Sequence, residues 1–247
     1  MTSIQTAATW IAASRHHVVF SGAGISTDSG LPDYRGPDGV WTRRDAGLPP
    51  PRARTSIAGA RPNTGHMALV DLQNMGKLQY VISQNVDGLH LISGIEADRL
   101  SELHGNSRRM KCMSCDLRYS LPSVGWDRRR FGPGYRTQRP YPGQPVCPGC
   151  GGRLISSVIN FGDAMPERET RLAYDHAEDC DVFFVIGSSL VVSPANDIPR
   201  IAAQGGAKLI ILNRGETPLD SWAHLRISEG ISEVLPAIVA AVRAKLR

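Results

Sequence analysis

Four of the five cysteines stand in two C-x-x-C pairs, Cys112/Cys115 and Cys147/Cys150. Each pair can grip one side of a tetrahedral ion through thiolates, and residues 116–146 are free to loop out between them. Four sulfur ligands leave no open position for water, so a Zn²⁺ held this way would maintain structure and do no chemistry. The competing readings are redox pairs or plain buried thiols. Cys180 has no partner. An odd count with this pairing argues against a disulfide framework and for a metal site in a reducing compartment.

A second set of chemically capable residues is the run Ser83-Gln84-Asn85-Val86-Asp87-Gly88-Leu89-His90, followed by Glu102-Leu103-His104-Gly105-Asn106. Two side-chain amides, an acid and two histidines follow directly on an apolar stretch. The unperturbed pKa of histidine suits a general base at neutral pH. His104 lies between that stretch and the cysteine segment, where a cleft would form, so it is read either as that base or as a structural histidine. A third element is the turn Gly22-Ala23-Gly24 after an apolar run. Two glycines let the backbone approach a pyrophosphate, and a helix N-terminus beyond them would offer amide donors. Thr27 stands where a dinucleotide fingerprint has its third glycine, so a structural turn competes with that reading. Gly187-Ser188-Ser189 and Asn213 follow two later apolar runs, as nucleotide-lining residues or as ordinary turns.

These residues need strands that end at one edge. His17–Ser21, Tyr80–Ile82, Asp181–Ile186 and Lys208–Leu212 are short apolar runs of the buried-strand type. Helices are expected over 3–14 with Ser3 as N-cap, from Asn63 to Gly76, from Ser193-Pro194 to Gly205-Gly206, and over 231–246. Strands alternating with helices imply an α/β fold, a Rossmann-like doubly wound parallel sheet. Residues 1–40, 63–104 and 155–247 would form it, with 41–62 a short insert. Residues 105–154, rich in Gly and Pro and without hydrophobic periodicity, form an inserted small zinc-binding domain that cannot build its own core and depends on the metal.

The chain has 247 residues, 41% apolar and 21% charged, which excludes wholesale disorder. No basic stretch precedes the first apolar residues and no apolar run is long enough for a bilayer, so it reads as soluble, intracellular and cytoplasmic, with no membrane contact. Part of the +5 net charge sits in Arg128, Arg129, Arg130, Arg136 and Arg139. With no aromatic-interleaved nucleic-acid module beside it, this reads as a solvated basic loop, a nucleic-acid or acidic-protein contact being the alternative.

Together these pieces resemble the sirtuin family. Gly22-Ala23-Gly24-Ile25-Ser26 through Ser29-Gly30-Leu31-Pro32-Asp33-Tyr34-Arg35-Gly36 resembles its NAD-binding signature. Gln84-Asn85-Val86-Asp87 is similar to its nicotinamide-pocket motif, and Leu103-His104-Gly105 to its catalytic histidine segment. The cysteine pairs, the Gly-Ser-Ser run and Asn213 follow in the family's order. The likeness covers residues 15–235, and the short segment from Pro37 to Pro62 is most similar to the branch with an abbreviated cofactor loop.

The resemblance implies NAD as co-substrate, one structural zinc per chain, and acyl-lysine proteins or peptides as partners. It assigns Gly22, Ala23, Gly24, Tyr34, Arg35, Trp41, Gln84, Asn85, Asp87, Gly187, Ser188, Ser189, Asn213 and Ile231 to NAD. Val158, Ile159, Asn160, Phe161 and Gly162 are assigned to a substrate-pairing strand, and His104, Asn85 and Asp87 to catalysis. The implied reaction is NAD-dependent lysine deacylation. The acyl oxygen attacks C1′ as nicotinamide leaves, and neutral His104 then takes a proton from a ribose hydroxyl. Nicotinamide, acyl-ADP-ribose and free lysine result. Two positions depart from the family pattern: Tyr34 replaces the usual Phe, and Asp163 the usual Glu. A protein mono-ADP-ribosyltransferase would use the same pocket. A silent NAD-sensing module would need no base, and a dehydrogenase would need a ribose-binding acid after the second strand, which is missing.

Overall fold

The computed structural model describes residues 2–247. The chain opens with α1 (Ser3–Ala13), β1 (His17–Ser21), α2 (Val40–Asp45), α3 (Thr64–Asn74), β2 (Tyr80–Ser83), α4 (Leu89–Ser93) and β3 (Leu100–Glu102). It continues through β4 (Arg109–Cys112), β5 (Arg118–Ser120), α5 (Arg128–Phe131) and β6 (Leu154–Ser156). It closes with α6 (Glu167–Asp179), β7 (Val182–Ile186), α7 (Asp197–Gln204), β8 (Lys208–Leu212), β9 (Leu225–Ile227) and α8 (Ile231–Lys245).

Six strands form one sheet in the order β3-β2-β1-β7-β8-β9, all neighbours parallel. The order runs outward from β1 in one direction and from β7 in the other. The strand order therefore reverses between β1 and β7, and α/β sheets open a crevice for ligands at such a point. Burial follows the two-residue pleat. Val19, Val81, Phe184 and Ile210 join α1, α3 and α8 in one core, where Ala7, Leu69, Leu235 and Ile238 are fully buried. Phe20, Ile82, Phe183, Val185 and Ile211 join α6 and α7 in the other, with Ala173, Ala177 and Ile198.

The local signals act as their chemistry dictates, with three differences. The Asn63 side chain accepts from the amides of Gly65 and His66, and His66 returns a bond to the Asn63 amide, a reciprocal cap. The cap of α1 is Thr2, not Ser3, because the Thr2 hydroxyl accepts from the Gln5 amide. α7 begins at Asp197, because Val192–Asp197 first makes a tight turn, with Asn196 N–H on Val192 O and Asp197 N–H on Pro194 O. Segment 105–154 does have a core. Met110, Cys112, Trp126, Phe131, Cys147 and Leu154 bury one another beside an antiparallel sheet of order β5-β4-β6. The apolar residues come from separate turns, so no sequence period betrays them. A mostly buried ion pair, Arg118 Nη1 to Glu169 Oε1 at 2.6 Å, ties this sheet to α6. Among the described residues no helix is long and apolar enough to cross a membrane.

Three buried histidines make the fold acid-sensitive. Burial lowers His17 and His90 to about 4 and His66 to about 3. Among the described residues each has a ring nitrogen without a partner: His17 Nε2, His90 Nδ1 and His66 Nε2. Unfolded, these rings gain protons below about 6.5. Their stabilisation is thus complete above that pH and is lost as pH falls toward 4. Glu102 acts in reverse. Burial raises it to about 7, so its contribution is present below its unfolded pKa and lost as pH rises through 7. Three histidines outweigh one carboxyl, and the melting temperature is expected to fall between pH 7.5 and 5.5. Thermal unfolding with zinc content measured at both pH values checks this; an unchanged Tm would refute it.

Candidate active site

The β1–β7 crevice is a cavity of about 520 Å³. All the residues assigned above to NAD, to substrate and to catalysis line it, from Gly22 to Ile231. Only the four cysteines stand apart, as the zinc reading requires.

The glycines at its floor serve loop-on-loop packing. Gly22 N–H bonds Ile186 O at 3.0 Å, and Gly24 N–H bonds Gly187 O at 2.8 Å. A Cβ on Gly24 would lie 2.7 Å from Gly187 Cα, and one on Gly187, whose φ is 62°, would lie 2.5 Å from Ile25 N. Bare backbone is therefore compulsory where the two loops meet, at the centre of the crevice. The helix that follows the glycine turn is a 3₁₀ helix, Ala23–Ser29.

Above this floor the amides and the acid interlock. Asn85 Nδ2 donates to Gly22 O at 3.1 Å and lies 3.3 Å from Ser26 Oγ. Ser26 Oγ donates to Asp87 Oδ2 at 2.7 Å, and the Leu89 amide donates to Asp87 Oδ1 at 2.8 Å. Gln84 Nε2 donates to Ser188 Oγ at 2.7 Å, joining the β2 and β7 loops. Ser26 was not among the predicted residues, although it sits inside the glycine signature. Asn213 Nδ2 is turned onto Gly215 O at 2.9 Å.

His104 Nδ1 lies 2.8 Å from Gln84 O. A carbonyl only accepts, so Nδ1 carries the proton and Nε2 of the neutral ring keeps its lone pair. Burial lowers the His104 pKa below its usual value, partly offset by that carbonyl bond, so the ring is neutral at pH 7. His90 differs: it is buried against Ser21 Oγ at 2.8 Å and does not line the cavity.

The segment Val158–Gly162 belongs to neither sheet. It is pinned to the His104 loop by Ile159 N–H on His104 O at 2.9 Å. A Cβ on Gly105 would fall 1.8 Å from Ser157 O, so this crossing also demands glycine. Asp163 turns back to accept from the Asn160 amide at 3.2 Å. The Trp41 ring stands 5.0 Å from Tyr34 and 5.6 Å from Phe161, which is 82% exposed. The three rings make an apolar mouth beside Arg35, whose guanidinium covers Trp41 and pairs with Asp45 at 2.6 Å.

Sequence reasoning missed Arg108. Its guanidinium donates to Asp87 O at 2.7 Å and to the carbonyls of Ile57 and Ala60, fixing the 57–60 loop against the Asp87 turn. An arginine outside any motif gave no signal.

The four cysteine Sγ atoms lie within 4.8 Å of one another, with Cys112–Cys150 at 3.5 Å and Cys115–Cys147 at 3.6 Å. Tetrahedral zinc with bonds of about 2.3 Å places its sulfurs about that far apart. None of the cysteines is disulfide-bonded, so the donor set fits one zinc ion.

Residues 50–194, more than half the chain, match the Sir2 family. The chain is 39% identical over 245 residues to "NAD-dependent protein deacetylase 1" of Bradyrhizobium diazoefficiens, covering 93% of this chain and 92% of that protein. The chain belongs to the Sir2, or sirtuin, family. It is also 38% identical over 247 residues to "NAD-dependent protein deacetylase SRT1" of Arabidopsis thaliana, covering 98% of this chain, and this sirtuin spans about half the length of that plant relative. Among solved structures, a Sir2–p53 peptide–NAD⁺ complex superposes with a TM-score of 0.73 at 30% identity, covering 97% of each chain.

Proposed function

We propose that this sirtuin is an NAD-dependent protein-lysine deacylase that releases nicotinamide, acyl-ADP-ribose and free lysine. The observation that carries the reading is His104: a half-buried, neutral imidazole lining the crevice, its Nδ1 proton tied to Gln84 O. The deacetylase and peptide-complex names of its relatives favour acyl removal over ADP-ribosyl transfer to protein. Residues 1–40, 63–104 and 155–247 are proposed as the NAD-binding domain, 41–62 as the cofactor-loop insert and 105–154 as the zinc domain.

The switch-point crevice, its bare glycine floor and its amide and hydroxyl lining suit an elongated dinucleotide. Gly22–Gly24, Tyr34, Arg35, Gln84, Ser188, Ser189 and Asn213 would hold it. Bound NAD supplies an electrophilic ribose carbon once nicotinamide departs. Asn85 and Asp87, held rigid by Gly22 O, Ser26 and the Leu89 amide, would orient the nicotinamide amide. His104 Nε2 would accept the ribose hydroxyl proton. The 158–160 backbone, which leads into a turn at 160–163, would pair with the substrate peptide, and Tyr34, Trp41 and Phe161 would exclude water around the acyl chain. Mass spectrometry of products from NAD and an acetyl-lysine peptide tests the reading. Acetyl-ADP-ribose with free lysine is expected; ADP-ribosylated peptide as the sole product would overturn it.

Neutral acyl groups are expected to be preferred over succinyl. Burying a carboxylate without a cation is costly. By the resemblance to the sirtuin family, recognition of acidic acyl groups would need a Tyr and an Arg three residues apart, and no tyrosine lies between Trp41 and His66. Four arginines of that segment are engaged elsewhere: Arg43 donates to Pro49 O, Arg44 pairs with Asp45, Arg54 donates to Thr27 O, and Arg61 to the carbonyls of Ala58, Gly59 and Ala60, while Arg52 is exposed and does not line the crevice. Comparing kcat/KM on one peptide carrying acetyl, succinyl or myristoyl lysine checks this. A succinyl value above both neutral acyls would show that an arginine does reach the acyl group.

A further inference from the structure

The basic segment of the zinc domain is left unused by the deacylase reading. Residues 117–153 hold seven arginines, no lysine and a single acid, Asp127. That surplus exceeds the +5 net charge of the whole chain, so the remainder of the protein is close to neutral. Three of the seven are structural: Arg118 pairs with Glu169, Arg128 donates to Ser107 O, and Arg153 donates to the carbonyls of Tyr135, Arg136 and Gln138. The other four, Arg129, Arg130, Arg136 and Arg139, are exposed, and none pairs with a carboxylate among the described residues.

The segment is a folded surface and not a loose run of charge. Asp127 caps α5 by accepting from the Arg129 amide, Phe131 is buried in the domain core, and Arg153 holds the 135–138 turn from beneath. The two arms of the surface touch. A Cβ on Gly143 would lie 3.7 Å from an Arg130 nitrogen, and one on Gly132 would lie 3.6 Å from the Tyr141 hydroxyl. Tyr135 and Tyr141 are 42% and 43% exposed on this face. Aromatics therefore do accompany the basic residues, which the sequence reading had not credited.

We propose that this face binds single-stranded nucleic acid. Guanidinium groups without acidic partners match phosphate geometry in two-point contacts, better than lysines would. Half-exposed tyrosines among them offer flat faces on which unpaired bases stack, the combination that marks sequence-tolerant single-strand binding. An acidic protein would use the charge and leave the tyrosines without a task. A duplex keeps its bases stacked on each other and would use the arginines alone. The binding face is carried on the zinc domain, and none of its residues lines the crevice.

The test is fluorescence anisotropy of the zinc-loaded full chain with a labelled mixed-sequence single strand, the matching duplex and a poly-glutamate peptide, each at several salt concentrations. The single strand is expected to bind tightest. A strand engaging all four arginines should show log K falling against log salt with a slope of roughly 3. Arg129→Ser/Arg136→Ser/Arg139→Ser should reduce that slope by about 2, and Tyr135→Ser/Tyr141→Ser should weaken single-strand binding roughly tenfold or more while leaving the slope unchanged. These side chains make no hydrogen bond to the cysteine site, so zinc content and deacylation of a short peptide should match the parent in both variants. Retained zinc with unchanged single-strand affinity in the arginine variant would overturn the proposal. So would a parent protein that binds poly-glutamate or duplex at least as tightly as the single strand. A failure of deacylase activity in the parent would refute the functional reading and leave this test intact.

Discussion

His104→Ala is expected to fold, hold zinc and bind NAD like the parent while turnover falls by roughly 10²–10⁴, the usual worth of a positioned base. The side chain makes one hydrogen bond, to Gln84 O, so its removal strips little from the fold. What disappears is the Nε2 lone pair, fixed in tautomer by that bond and kept neutral by burial. Because burial pushes its pKa below 6.5, the ring stays basic and unprotonated at pH 7. The acid limb of the parent's kcat/KM profile should accordingly fall below pH 6.5, and the variant should lose it. His90→Ala is the contrasting control. It breaks the Ser21 bond in a buried site, so its effect should appear as a lower Tm, with kcat far less affected than in His104→Ala. Rapid-quench or steady-state assays across pH, with NAD binding measured separately, check both. Near-parent turnover in His104→Ala would remove the histidine from the mechanism.

The chemistry-bearing residues were legible because their types are scarce and their spacings specific. Paired cysteines, an amide-amide-acid run and a histidine before glycine each limit the alternatives, and the parallel sheet places them over one edge. Asn85, Asp87 and His104 converge because β2 and β3 are adjacent parallel strands whose ends open to the same side. The glycine turn was legible as a turn, but its reason was not. The clash that forbids a side chain at Gly24 comes from Gly187, more than 160 positions away, a distance no local pattern encodes. Ser26 and Arg108 escaped for the same reason, since their roles rest on partners at Asp87 and on the 57–60 carbonyls. The small core of the zinc domain was missed because Trp126, Phe131 and Leu154 are gathered by turns and by antiparallel pairing, not by a helix period.

Removing the zinc should cost more than any single side chain. Structural sites of this type contribute roughly 10–16 kcal/mol of apparent binding free energy to folding, and a domain as a whole is stable by only about 5–15 kcal/mol. The apolar cluster beside the site has six buried members, and two of them, Cys112 and Cys147, are ligands themselves. What remains after metal loss cannot hold β4, β5 and β6 together. The consequence reaches the crevice, because β6 runs directly into Ser157 and the 158–162 segment, and Ser157 N–H bonds Arg109 O at the start of β4. Cys112→Ser/Cys147→Ser should therefore lose its zinc, become sensitive to protease within 105–154, and lose deacylase activity although every cavity-lining residue is intact. A chelator acting on the parent should reproduce this. Cys180→Ser should keep zinc and activity, since that thiol lies beside Ala177 O at 3.2 Å, within the core that packs against α6. Elemental analysis and timed proteolysis distinguish the outcomes, and a double variant that keeps about one zinc per chain and resists protease would show that other groups hold the domain.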